Sequence, residues 1–206
     1  MISKLHYITQ TITGKTHAQL AQKACEGGVC WVQFRAKNLG FEEWKKEALA
    51  VQKVCKKYHA RLLINDNVKI VEEINADGVH LGKTDMDADK ARKILGEDFI
   101  IGGTANSYED ILRLADWQVD YIGLGPLRFT ETKKNLSPTL GMEGYFSILQ
   151  AMREDKINIP VIAIGGIQLD DIDELLTIGV HGVAVSSAIN KAKNVKGLAS
   201  KFVAAL

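Results

Sequence analysis

The feature that most constrains this chain is an alternation: a short β-like run followed by a longer helix-like one, repeated eight times from end to end. In the first half the pairs are "LHYIT" with 16–27, "WVQF" with 41–58, "RLLI" with 68–75 and "GVHL" with 87–95. The second half pairs "FIIG" with 107–116, "YIGLG" with 141–154, "VIAIG" with 170–178 and "GVAV" with 187 onward. A helical crossover after every strand makes successive strands parallel, since only antiparallel neighbours can be joined by a tight hairpin. Parallel strands covered by helices should read as nearly continuous apolar runs, and several of these do. Eight such units predict an α/β protein built as a single (β/α)8 TIM barrel over residues 1–206. The rival is an open doubly wound sheet, which usually carries a glycine-rich phosphate turn after its first strand. Here the first loop reads "TQTITGKTH", with no G-x-G-x-x-G.

The helical segments have amphipathic spacing, as in Leu20, Ala21, Ala24 and Cys25, or Ile111, Leu112, Leu114 and Ala115. Gly27, Gly96 and Gly179 stand where helices should stop. The one long connection, "GPLRFTETKKNLSPTL" at 125–140, is polar, as expected of a lid or binding loop.

Lys and Arg number 26 against 25 Asp and Glu, a formal charge of +1, so there is no broad cationic face to select nucleic acid or an anionic membrane. No apolar stretch approaches the roughly 18 residues of a spanning helix, and "MISKLHYITQ" lacks a signal-peptide layout. A cytoplasmic protein with small-molecule partners is expected, and homo-oligomerisation is left open. Cys25, Cys30 and Cys55 have neither disulfide nor zinc spacing and are expected to be small buried hydrophobes.

Barrel chemistry belongs at the C-terminal ends of the strands. After the second strand, Gln33, Arg35 and Lys37 alternate with Phe34 and Ala36, so period-two geometry points the three polar side chains one way. Facing the mouth they form an anion site, with Arg able to grip phosphate bidentately. The bland alternative is a strand end fraying into solvent. The third and fourth strands supply Asn65, Asp66 and Asp85. Strands about 5 Å apart can bring two carboxylates onto one ion, and two Asp with phosphate oxygens and water suit Mg2+. An equal reading has Asp66 cap the helix near Val68 and Asp85 the helix near Asp87. On the other side, Gly165 and Gly166 follow the seventh strand and Ser186 and Ser187 the eighth, where barrels commonly hold a phosphate; ordinary tight turns are the alternative. Two phosphorylated ligands in one pocket suggest a group transfer in which diphosphate leaves. Lys133, Arg35 and Mg2+ are then placed to stabilise it, and Thr130 and Thr132 to offer hydroxyls.

These motifs in order, Q-x-R-x-K at 33–37, "LINDN", "ADGVHLG" with Asp85, "GLGP" with T-x-T-K-K, "IPVIAIGGI" and "GVAVSSAI", resemble the thiamine-phosphate synthase family. That resemblance implies a Mg2+-dependent transferase. It would join a hydroxymethylpyrimidine diphosphate to a thiazole phosphate by dissociative substitution, giving thiamine monophosphate and diphosphate. By the resemblance Gln33, Arg35, Lys37, Asn65 and Lys133 hold the pyrimidine diphosphate and Asp66 and Asp85 the metal. Thr130, Thr132, Gly166, Ser186 and Ser187 hold the thiazole phosphate. Thr104, after the fifth strand, stands where the family usually has Ser. Arg35, Lys37, Lys133 and Thr104 are the residues implied in catalysis. Four positions, in three places, depart from the family pattern: Lys83 replaces a usual Gln, Ala36 an acidic residue, and Arg128 and Phe129 an aromatic and Pro. Lys83 adds a cation that either supports the diphosphate or repels the metal. His80 shares the parity of Gly78 and Gly82 and is expected to be a satisfied core histidine inside the barrel. The competing functions are a thiazole tautomerase-like paralogue and a non-catalytic barrel that binds thiamine phosphates.

Overall fold

The computed structural model describes residues 1–37, 39–129 and 138–206. The strands β1 (Leu5–Ile8), β2 (Trp31–Phe34), β3 (Arg61–Asn65), β4 (Gly78–Leu81), β5 (Ile100–Ala105), β6 (Tyr121–Leu124), β7 (Val161–Ala163) and β8 (Gly182–Val185) pair in sequence order. All pairs are parallel, and β8 closes on β1 through Leu5↔Val183 and His6↔Ala184. The fold is a (β/α)8 barrel. Outside it lie α1 (His17–Glu26), α2 (Phe41–Lys57), α3 (Val68–Ile74), α4 (Ala88–Leu95), α5 (Tyr108–Asp116), α6 (Gly141–Glu154) and α7 (Ile172–Ile178), followed by α8 (Ser187–Asn190) and α9 (Val195–Ala204).

Alternation along each strand sorts the core into two layers. On β2 and β3, Val32, Phe34, Leu62 and Ile64 pack outward under the helices. Trp31 and Leu63 turn inward to meet Ile8, Tyr121, Ile162 and Ala184. Burying one such side chain contributes about 1.5–3 kcal/mol. The inner layer is close-packed: a Cβ on Gly102 would stand 2.2 Å from Cζ of Tyr121, so glycine there is a requirement of space.

Helix ends follow local chemistry. Thr16 accepts from the Gln19 backbone N–H, while the Gln19 side chain accepts from the Thr16 N–H, a capping box that starts α1. Gly27, Gly96 and Gly179 do end α1, α4 and α7, the last at φ 111°.

Several expectations are corrected. The helix anticipated from 187 onward is two: α8 stops after one turn, and Asn194 caps α9 by accepting from the Gly197 N–H at 2.9 Å. The stretch 170–178 opens as a 3-10 turn, Leu169–Asp171, before α7. Thr104 lies within β5, not after it. Leu112 is 44% exposed, and Asp110 takes a buried place on α5 instead. Cys25 and Cys55 are buried, but Cys30, just before β2, is exposed. Among the described residues no helix is long and apolar enough to cross a membrane.

Candidate active site

A cavity of about 610 Å³ opens at the C-terminal ends of the strands. Gln33, Arg35, Lys37, Asn65, Asp66, Asp85, Thr104, Gly166, Ser186 and Ser187 all line it, so the residues singled out on six different strands and the loops after them share one space. Thr130, Thr132 and Lys133 lie outside the described residues.

The β2 wall carries the cations. Phe34 and Ala36 are buried in the outer core, which leaves Gln33, Arg35 and Lys37 on the cavity side. The backbone of Arg35 is fixed by its N–H donating to Thr9 Oγ1 at 3.1 Å. Burial lowers the guanidinium pKa, and the nearby Asp66 carboxylate opposes that shift. A partly desolvated guanidinium gains most when it meets an anion of complementary geometry.

The carboxylates occupy the next wall. Asn65 ends β3 and donates from Nδ2 to Asp66 Oδ1 at 2.5 Å. Asp66 has a left-handed backbone, φ 67°, and its N–H donates to the carbonyl of His80 at 2.9 Å. That conformation takes Asp66 out of the capping position. The cap of α3 is Asn67, whose Oδ1 accepts from the Ile70 N–H at 3.0 Å. Nor does Asp85 cap α4, where Asp87 holds the N-cap position. Instead Asp85 Oδ2 accepts from the Gly82 N–H at 2.6 Å, and a Cβ on Gly82 would stand 2.8 Å from that oxygen.

Burial, then hydrogen bonding to Asp85 and its charge, raise the Asp66 carboxyl to about 7, with Lys37 and Arg35 pulling the other way. Two carboxyl groups in hydrogen-bond contact must share a proton or a cation. These are hard oxygen donors, and among the described residues no group of three or more His, Cys, Asp or Glu gathers. A pair of carboxylates with room for ligand oxygens and water fits a hard divalent cation and does not fit a zinc cage.

Across the cavity the chain turns through Gly165 (φ 93°) and Gly166 (φ 74°) after β7, and through Ser186 and Ser187 into α8. Arg128 lies over Gly166, where a Cβ would meet its Cγ at 2.4 Å. Its guanidinium forks onto Asp171 at 2.6 and 2.7 Å and donates to the Gly166 carbonyl at 2.8 Å. The departure at Arg128 thus fastens the start of the connection after β6 to the glycine turn.

Lys83 also has a structural explanation. Its ammonium pairs with Asp110 at 2.7 Å, and Asp110 further accepts from the Asn106 N–H and from Arg113. The extra charge is answered by a buried carboxylate on α5. Asp110 and Tyr121 are the residues that strand-end reading passed over. Tyr121 shares the inward parity of Gly123 on β6, and that signal could have found it. His80 is inside the barrel as expected, with Nδ1 2.9 Å from the Tyr121 hydroxyl and Nε2 3.0 Å from Thr104 Oγ1.

Residues 5–189 match the family model described as thiamine monophosphate synthase. The chain is 47% identical over 191 residues to a thiamine-phosphate synthase of Phocaeicola vulgatus, covering 93% of this chain and 92% of the relative. It is 48% identical over 190 residues to one from Bacteroides thetaiotaomicron, covering 92% and 91%. Its fold matches a thiamine phosphate pyrophosphorylase from Pyrococcus furiosus with a TM-score of 0.86 at 31% identity, covering 98% of this chain and 94% of that one.

Proposed function

The chain belongs to the thiamine monophosphate synthase family and is a transferase of that kind, and on that premise we propose which reaction its cavity performs. It joins 4-amino-5-hydroxymethyl-2-methylpyrimidine diphosphate to a thiazole phosphate, or its carboxylated form, giving thiamine monophosphate and inorganic diphosphate. The observation that carries this reading is the pairing of opposite walls. Asp66 and Asp85 meet beside Arg35 and Lys37, and the Gly165–Gly166 turn with Ser186 and Ser187 faces them. One wall suits a diphosphate with a hard cation and the other a monophosphate.

In this reading Asp66 and Asp85 hold Mg2+, which supplies charge stabilisation for the diphosphate oxygens. Arg35 and Lys37 bind the same diphosphate, with Gln33 and Asn65 at its pyrimidine end, and Lys133 joins them. Gly166, Ser186 and Ser187, with Thr130 and Thr132, hold the thiazole phosphate. The bond between the pyrimidine methylene carbon and the diphosphate oxygen breaks, and its electron pair leaves with the diphosphate. The remaining cation is delocalised over the aminopyrimidine ring, and the thiazole nitrogen lone pair captures it. No proton has to be removed from carbon. The residues of the site position two ligands and stabilise a departing anion.

Purified protein incubated with both substrates and Mg2+ should release diphosphate and form thiamine monophosphate. No release at saturating substrates rejects the reading. Isomerisation of the thiazole alone would indicate a tautomerase, and binding without turnover a sensor.

A further inference from the structure

Where β8 closes on β1, a buried side-chain amide stands in for a backbone hydrogen bond. The register runs Leu5↔Val183, His6↔Ala184 and Tyr7↔Val185, and the Val183 N–H donates to the Lys4 carbonyl at 2.8 Å. Hydrogen bonds of a parallel pair recur at every second residue, so the carbonyls next in line on β1 are those of His6 and Ile8. The residue that would serve Ile8 is Ser187, and there the chain has already turned into α8. Asn190, the last residue of that helix, fills the gap: its Nδ2 donates to the Ile8 carbonyl at 2.8 Å.

That contact fixes the amide. A carbonyl oxygen only accepts, so Nδ2 has to face Ile8, and Oδ1 has to face away from it. Oδ1 accepts from the Tyr7 hydroxyl, and the second Nδ2 proton goes to Ser186 Oγ at 3.3 Å. Every polar atom of the Asn190 side chain is thus engaged, in a residue 1% exposed beside a fully buried Tyr7. Ser186 stands at the N-cap position of α8, but its side chain makes no capping hydrogen bond, and its O–H reaches no acceptor among the described residues. With the oxygen accepting from Asn190, that proton is left for the cavity, which Ser186 and Ile8 line and Asn190 and Tyr7 do not.

We propose that Asn190, held by Tyr7, is a positioning residue for the transfer reaction, clamping the β8–α8 turn to the end of β1 and directing the Ser186 proton toward the phosphate of the thiazole substrate. This rests on the reading of that wall as the thiazole phosphate pocket and adds what holds the pocket in shape. An acceptor-only group such as a phosphate monoester suits a hydroxyl committed to donating, and a ligand offering N–H or O–H at that point does not.

Side-chain amide exchange tests the clamp without substrate. The two Nδ2 protons of Asn190, assigned in nitrogen-labelled protein by their absence from Asn190→Ala, should exchange with deuterium at least about tenfold more slowly than those of the exposed Asn158, and Tyr7→Phe should reduce that protection about threefold or more. Exchange as fast as that of Asn158, or protection that Tyr7→Phe leaves unchanged, overturns the clamp. Kinetics test its consequence. Tyr7→Phe and Asn190→Ala should each raise the KM for the thiazole phosphate about fivefold, the scale of one hydrogen bond, and leave that for the pyrimidine diphosphate within about twofold. In a Ser186→Ala background Tyr7→Phe should add less than about twofold, because the group through which it acts is gone. A merely structural role would lower the melting temperature and move both KM values together; that result, or full additivity with Ser186→Ala, refutes the assignment. Tyr7→Phe keeps the packed ring, so the test stands even where Asn190→Ala does not fold. Should the unmutated protein form no thiamine monophosphate, the functional reading fails and with it the role in transfer, while amide exchange still decides the clamp.

Discussion

Replacing Asp66 with Asn should separate activity from stability in opposite directions. The Asp66 carboxyl titrates at about 7 in the folded protein against an ordinary 3.8. A raised folded-state value means that its contribution to stability is fully present below the unfolded value and is lost as pH rises through about 7. For a fully shielded group the loss is about 4 kcal/mol. Asp66 remains partly in contact with solvent, and discounting for that screening leaves about 2 kcal/mol, lost between about pH 4 and pH 7. Asn keeps the acceptor that Asn65 Nδ2 reaches at 2.5 Å and tolerates the left-handed backbone at φ 67°. It carries no charge. In a chain of 206 residues that difference corresponds to a melting temperature about 4–8 °C higher than the unmutated protein at pH 8, with the gap closing toward pH 4. Titrating groups away from this site are common to both proteins, so the variant-minus-parent difference isolates the Asp66–Asp85 pair. Thermal melts across pH 4–8 measure it, and a parallel assay should show Mg2+-dependent turnover lost. Mg2+ with inorganic diphosphate should raise the melting temperature of the parent at pH 8 but not that of Asp66→Asn. A gap that is independent of pH, or a variant less stable than the parent at pH 8, would refute the argument that burial and Asp85 hold this carboxyl in its protonated form.

Arg35→Ala should raise the KM for the pyrimidine diphosphate at least tenfold while changing that for the thiazole phosphate less than about threefold, since the guanidinium lies on the diphosphate wall; equal effects in steady-state kinetics would mean that the two walls are misassigned. Lys83→Gln should leave the Mg2+ requirement within about threefold of the parent in a metal titration, because Asp110 already neutralises that ammonium and keeps Arg113 and the Asn106 N–H as partners. A sharp gain in metal affinity would show that Lys83 had been repelling the cation. Asp171→Asn should unfasten Arg128 from the glycine turn and raise the KM for the thiazole phosphate several-fold with little change for the pyrimidine diphosphate, read from the same two substrate titrations.

The order of elements was legible because it is written in local terms. Apolar runs of four or five residues, amphipathic spacing in segments such as α1, and glycines at 27, 96 and 179 each act within a turn or two of the chain. The parity of Gln33, Arg35 and Lys37 likewise follows from strand geometry, and so does the inward direction of His80. Where a choice turned on a single backbone conformation, periodicity carried no information. "NDN" offers three candidate caps, and only the left-handed turn at Asp66 gives the role to Asn67 and frees Asp66 for the cavity. The break between α8 and α9 depends in the same way on Asn194 capping a second helix inside a segment that reads as continuous.

By itself, then, the amino-acid order determined a closed parallel barrel with its polar strand ends gathered at one rim, because hydrophobic periodicity and the geometry of helical crossovers leave few other folds. Only the tertiary structure decided which charges answer one another. Lys83 finds Asp110 27 residues away, Arg128 finds Asp171 43 away, and His80 finds Tyr121 41 away. These pairings depend on which strands and loops become neighbours around the barrel and on the space left by glycines at 102 and 123. Such distances exist only once the chain has closed on itself.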